Sequence, residues 1–387
     1  MKTYGEFVRR CFIFFVLVFL SGALQSQPGP YSNWYFGNFA GITFNSGAPV
    51  ALTNGALSTT EGVATISDNA GGLLFYTNGI TVWDRTHTIM PNGNGLNGDI
   101  SSTQSSIIVP VPNSTRYYIF TSDADATIGT NFGICYTEVD ITGNGGLGVV
   151  TANKNIPLHA PSSEKLCAVR HCNGVDIWVV SHDWGNNIFR AWLVTSAGIT
   201  VFSWSITGTV VSGPSQSAYG QLKASQNGRK LLACYYGTSG GGLNKVELYD
   251  FNNQNGYVSN AMLVATEIGA YGCEFSPAGN LIYAATNGGN LIQWDITSGN
   301  LATIQSTRTL IFAGGPFMGS LQLGPDSKIY IARNTTSLSV INSPNVPGLG
   351  CGYSNLTVGL AGRISRMGLP NFAPLIITPI LGPISHN

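Results

Sequence analysis

Six times along this 387-residue chain, a run of alternating apolar residues ends on a short polar residue and a turn. These ends fall at Asp84, Asp140, Thr195, Asp250, Asp295 and Asn342, at successive spacings of 56, 55, 55, 45 and 47 residues. A second mark keeps step with the first: a tight-turn residue stands before a β-rich run at Gly71, Asn113, Gly174, Gly228, Gly279 and Ser327. Two marks sharing a period of about 50 define a repeat, and a unit of that length holds four strands of ordinary size. In one unit the strands are read as Tyr271–Ser276, Leu281–Ala285, Leu291–Asp295 and Ile304–Phe312. A four-stranded antiparallel sheet repeated at this period is a propeller blade.

Composition agrees with an all-β chain. Only 9% of residues are charged, against about 25% in ordinary soluble proteins, too few to supply the wet faces of long amphipathic helices. Glycine at 49 residues supplies many turns. The formal charge is zero and no Lys/Arg cluster is present, so nucleic acid is not an expected partner. Six hairpin marks give at least six blades. Seven are favoured by the length, the last closed by pairing Trp34–Phe36 and Gly41–Phe44 with Asn355–Gly359 and Arg363–Met367; six blades with short extensions is the alternative.

Residues 1–26 read as a secretory signal peptide: basic Lys2, Arg9 and Arg10, an apolar run from Cys11 to Leu20, then small residues to Ser26. The apolar run is shorter than the roughly 20 residues needed to span a bilayer. Without this segment 15 basic and 17 acidic side chains remain. The propeller is assigned to 27–372 and an apolar, proline-containing tail to 373–387. The six remaining cysteines, Cys135, Cys167, Cys172, Cys234, Cys273 and Cys351, form no CxxC pair, and buried free thiols or one incidental bridge are preferred over a disulfide framework.

No HExxH, GxSxG, P-loop or strand-borne GxGxxG occurs. Propeller sites instead gather single residues from several blades at the channel mouth. Three inner-strand entries repeat an aromatic residue or Met before glycine, at Tyr219-Gly220, Tyr271-Gly272 and Met318-Gly319 behind Phe317, so rings rim the mouth where backbones crowd. Behind them Lys223, Glu274 and Gln322 hold equivalent positions and are read as a polar ring that binds a ligand or pairs between blades. His182 and Trp184, flanking Asp183, form a strand tip able to meet a ligand. Asp123 and Asp125 are weak calcium candidates, set against an ordinary Asx-turn. The strand-end aspartates are read as turn caps. If each blade runs from its inner strand outward, the tight turns share one face. Longer loops, at 91–103, 121–131, 157–165, 208–220 and 236–244, share the other, which is therefore the expected binding face.

Several segments together resemble a known family: Ser-Asp-Asn-Ala-Gly-Gly-Leu-Leu-Phe-Tyr-Thr at 67–77, Ser-Thr-Gln-Ser-Ser-Ile-Ile-Val-Pro at 102–110, Tyr-Gly-Gln-Leu-Lys-Ala-Ser at 219–225, Tyr-Gly-Cys-Glu-Phe-Ser-Pro at 271–277 and Gly-Leu-Pro-Asn-Phe at 368–372. The chain is similar to the N-terminal YVTN/WD40-like propeller region of secreted Bacteroidota proteins that usually carry a gliding-motility-associated, type IX secretion C-terminal sorting domain. No such domain follows Phe372 in this sequence, and the family transfers no activity onto named residues. The resemblance implies a propeller at or beyond the outer membrane, with the periplasm as alternative. The expected function is an exported, monomeric, non-enzymatic module that binds an envelope or surface protein or a glycan, with no resident cofactor besides a calcium ion. The alternative is a propeller hydrolase or lyase acting on extracellular polysaccharide, which would bring His182, Tyr219, Glu274 and Arg366 into one pocket.

Overall fold

A computed structural model describes residues 28–124 and 132–373. The predicted tight turns are real and their residue types have a backbone cause. Gly71, Asn113, Gly174, Gly228, Gly279 and Ser327 all adopt positive φ, between 56° and 82°, where a Cβ is disfavoured except in Gly and Asn. Each turn joins the inner strand of a sheet to the second strand, and the chain then steps outward.

Seven antiparallel sheets result. Five have four strands, spanning Ala64–Asn94, Ser162–Ile206, Leu222–Thr266, Ala270–Phe312 and Leu321–Gly359 (the second, fourth, fifth, sixth and seventh blades). The third blade, from Ser106 to His159, carries a fifth short strand, and the first has three, Asn33–Phe36, Ala40–Thr43 and Val50–Leu52. The chain is thus an all-β, seven-bladed propeller. Both faces of each blade pack on neighbours; Trp178, Phe189, Tyr235 and Tyr249 fill one such interface between the fourth and fifth blades. The six cysteines of the described residues are free, and only Cys172 is exposed.

The strand-end aspartates act within their own turns. Asp84, Asp140 and Asp295 each accept two hydrogen bonds, at 2.6–3.0 Å, from the backbone and hydroxyl of the threonine two residues on, Thr86, Thr142 and Thr297. Asp250 instead pairs with Lys230 at 2.6 Å. Within the sixth blade, the strand expected over Ile304–Phe312 begins only at Thr309. Asn300 caps a helical turn, Leu301–Ser306, by accepting from Thr303, and that local bond wins over the extended form. The stretch 236–244, expected as a loop, is the tip of the long hairpin Lys230–Thr238/Gly241–Asn252.

Ring closure differs from the expected pairing. Tyr353–Gly359 is the outer strand of the seventh blade, bonded to Ser337–Ile341, and the N-terminal hairpin meets 363–367 at one bridge, Asn38 with Ile364. The segment that closes the ring is 367–373, which occupies the inner position of the three-stranded first blade. Ser320 donates to the carbonyl of Met367, and Met367 donates to that of Thr60. Pro370 then bridges Val63 in parallel and Phe372 bridges Ile108. Parallel alignment is what an inner strand requires, because all inner strands run the same way through the channel. Side-chain amides stitch the same strands across the axis. Gln104 Oε1 accepts from Leu166 and Leu222, Gln221 Oε1 from Cys273 and Leu321, and Asn371 donates to the carbonyl of Leu166.

Candidate functional site

Lys223, Glu274 and Gln322 come from the inner strands Leu222–Ala224, Ala270–Phe275 and Leu321–Leu323, at the end nearest the tight turns. The structure brings them together. Lys223 Nζ lies 2.5 Å from Gln322 Oε1 and 3.4 Å from Glu274 Oε2. Glu274 also accepts backbone N–H bonds from Phe275 (2.9 Å) and Leu323 (3.1 Å), while Gln322 Nε2 donates to Leu323 O at 3.0 Å. All three are buried. Burial pushes the Glu274 carboxyl above its ordinary pKa, opposed by Lys223 and the two backbone donors.

These residues form the inner wall of a cavity of about 460 Å³ that opens on the tight-turn face. Its mouth lies between the 224–228 and 323–327 turns and the end of the strand Ser162–Arg170, and residues 371–373 of the closing segment form another wall. Tyr31, Arg170 and Phe372 line it as well. Sequence reasoning missed Tyr31 and Arg170, since neither falls on a repeated mark. It also expected ligand binding on the opposite face.

The other expected residues lie elsewhere. His182 is within the strand Ile177–Asp183 and fully buried, not at an exposed tip. Its ring packs on Phe189 and Tyr235, and Nδ1 donates to the carbonyl of Asp183 at 2.7 Å. Asp183 is held by a two-pronged Arg190 contact at 2.7 and 2.9 Å, and Trp184 is half-buried against the same core. Of the aromatic and Met residues expected at the rim, Tyr271 and Met318 are buried outright. Tyr219 is half-buried against Tyr236, with ring centroids 6.0 Å apart. Arg366 donates to Asn38 on the long-loop face, so His182, Tyr219, Glu274 and Arg366 do not share a pocket. Asp123 accepts from the backbone N–H groups of Ala124 and Phe132, at 2.9 and 2.8 Å; Asp125 lies outside the described residues, as does the leader segment. Among the described residues no cluster of three or more His, Cys, Asp or Glu side chains could hold a metal ion, and no helix is long and apolar enough to cross a membrane.

The glycines behind those rings do what the sequence suggested: a Cβ on Gly220 would lie 2.3 Å from Cys234 O, and one on Gly272 2.2 Å from Gly319 O. At the same end of the channel sits a second polar group that the sequence reading passed over. Lys165 Nζ donates to the carbonyls of Ala218, Tyr219 and Gly220 and lies 4.5 Å from the Tyr235 ring centroid. Burial brings its pKa down to about 8. Glu164 accepts two 2.8 Å bonds from Thr103, and burial beside Glu164 raises the Glu61 carboxyl well above its ordinary range.

His182 supplies a pH test. Burial lowers its pKa from 6.5 to about 4, so the folded protein refuses a proton that the unfolded chain accepts. Its contribution is complete above about pH 6.5 and is lost as pH falls toward 4, amounting to about 3 kcal/mol. Urea melts across that range are expected to show a stability difference between the wild type and His182→Gln that shrinks toward acid; a difference constant with pH contradicts the assignment.

No protein-family model and no curated protein matches the chain. Solved structures do. A candidate 6-phosphogluconolactonase from Bacteroides fragilis is 11% identical, with a TM-score of 0.53 over 87% of this chain and 96% of that one. A Lactobacillus plantarum protein is 12% identical, with a TM-score of 0.48 over 89% and 97%. At 11% identity the likeness to the Bacteroides fragilis structure shows the fold alone, and the seven blades are those of this chain's own sheets.

Proposed function

We propose that this protein is an exported propeller that binds a small hydroxyl-rich ligand, a sugar unit or the end of a glycan, in the pocket on its tight-turn face, without chemical turnover. The observation that carries the reading is the cavity itself. At about 460 Å³ it lies in the range of small-molecule sites, which combine apolar walls with a few fixed polar groups. Here the Tyr31 and Phe372 rings supply apolar surface, and Lys223, Glu274 and Gln322 are held by one another and by backbone. Binding is favoured over hydrolysis because glycosidases ordinarily use two carboxyl groups flanking the bond. Glu274 is the one carboxylate among the described lining residues, and it is bound to a lysine and two N–H groups.

Glycan-array capture with the purified protein, followed by calorimetry on the glycans retained, tests this. Gln226 is exposed at the pocket mouth. Gln226→Trp is expected to abolish capture with the melting temperature unchanged, while Tyr219→Ala on the opposite face leaves capture intact. The reverse pattern overturns the pocket in favour of the long-loop face, and shortening of the captured glycan overturns the non-enzymatic reading.

A further inference from the structure

We infer that the ligand of this pocket carries an anionic group, a carboxylate or a phosphate, and that Arg170 is its anchor. The inference rests on the pocket being the binding site, and adds the class of ligand it selects. Arg170 ends the inner strand of the fourth blade and lines the cavity. Among the described residues its side chain makes no hydrogen bond and no ion pair, and Nε is shielded from solvent without a partner. A guanidinium carries five N–H donors in a planar fork that matches the two oxygens of a carboxylate or phosphate. Buried donors are almost always satisfied, so a buried, unpartnered Nε on a side chain that lines a cavity marks a place for an acceptor from outside the chain.

The neighbouring groups point the same way. Lys223 and Glu274 satisfy each other, so the charge left over in the pocket is the positive charge of Arg170. In a chain with only 18 Lys and Arg side chains, a cation placed in a cavity without a counter-charge is unusual. The Tyr31 hydroxyl, which also makes no hydrogen bond among the described residues, lies close enough for the two groups to influence each other's ionisation, and burial lowers the Arg170 pKa from its ordinary value. A ligand oxygen could accept from both. The ring faces of Tyr31 and Phe372, whose centroids are 4.5 Å apart, would then contact the body of the same molecule.

The test uses protein labelled with ¹⁵N-arginine, the Arg170 Nε–H signal being identified by its absence in Arg170→Lys. Four probes are titrated: galacturonate, galactose, galactose 1-phosphate and inorganic phosphate. The acidic probes are expected to shift this signal and to bind at least about tenfold more tightly than galactose, with affinity falling as salt rises. Arg170→Gln is expected to remove that preference, so that the acidic probes bind no more tightly than galactose. Galacturonate against galactose 1-phosphate separates carboxylate from phosphate. Equal binding of acidic and neutral sugars, or a preference that survives Arg170→Gln, overturns the anion anchor and leaves the pocket standing. A response to inorganic phosphate with no sugar binding sustains the anchor and overturns the sugar reading, and a silent Arg170 signal with all four probes overturns the inference.

Discussion

Replacing Gly368 by alanine is expected to cost more than about 3 kcal/mol of stability, a size reserved for backbone collisions and core defects. The added Cβ would lie 1.8 Å from the carbonyl oxygen and 2.3 Å from the carbonyl carbon of Glu61, and both are backbone atoms with no room to rotate away. The same crowding repeats beside it, where a Cβ on Gly319 would lie 2.2 Å from Met367 O. Glycine at 319 and 368 is therefore what allows the closing segment to wedge between the seventh and second blades. Pushing it out unpairs Pro370 and Phe372 from their bridges and uncovers Leu369 and Ala373, both buried. Gly359→Ala is the control: it is exposed, nothing lies within 4 Å of its Cβ, and a change under about 0.5 kcal/mol is expected. Urea melts of the two variants check this, and a loss below 1 kcal/mol at position 368 would contradict the closure described above.

The second large effect lies in the pocket. Lys223→Met leaves Glu274 buried without its cation, an error that typically costs 3–5 kcal/mol. The loss should depend on pH with a definite sign. Burial already holds the folded carboxyl above its ordinary pKa of 4.5, and removing Lys223 raises it further. The penalty is therefore absent below about pH 4.5 and grows as pH rises through the folded value. Adding Glu274→Gln to Lys223→Met is expected to recover most of the loss at pH 7, because no buried charge is then left. A loss independent of pH, or no recovery in the double variant, would show that the pair is not coupled as described.

Much of this was legible in the sequence because it repeats. The turn marks correspond to positive φ at six positions, and the aligned Lys223, Glu274 and Gln322 were found by register alone, which is why they converge in space. What escaped has local causes. The aromatic-or-Met-before-glycine mark also occurs at Met367-Gly368. Extending it there would have placed 367–373 as an inner strand, but Pro370 disguises that segment. His182 looked like an exposed tip because a strand end on a propeller looks the same whether the neighbouring blade covers it or not. Loop length, which is visible in sequence, pointed to the long-loop face, whereas the cavity at the tight-turn end is formed only in three dimensions. Arg170 carries no repeated signal at all, and only its lack of a partner in three dimensions singles it out.

The central claim is that ligand enters the channel from the tight-turn face. Amide hydrogen exchange, measured with and without a saturating captured glycan, tests it most directly. The account predicts slowed exchange over 168–170, 223–228 and 323–327, with 208–220 and 236–244 unaffected. Protection confined to those long-loop segments, with the tight turns unchanged, would contradict it.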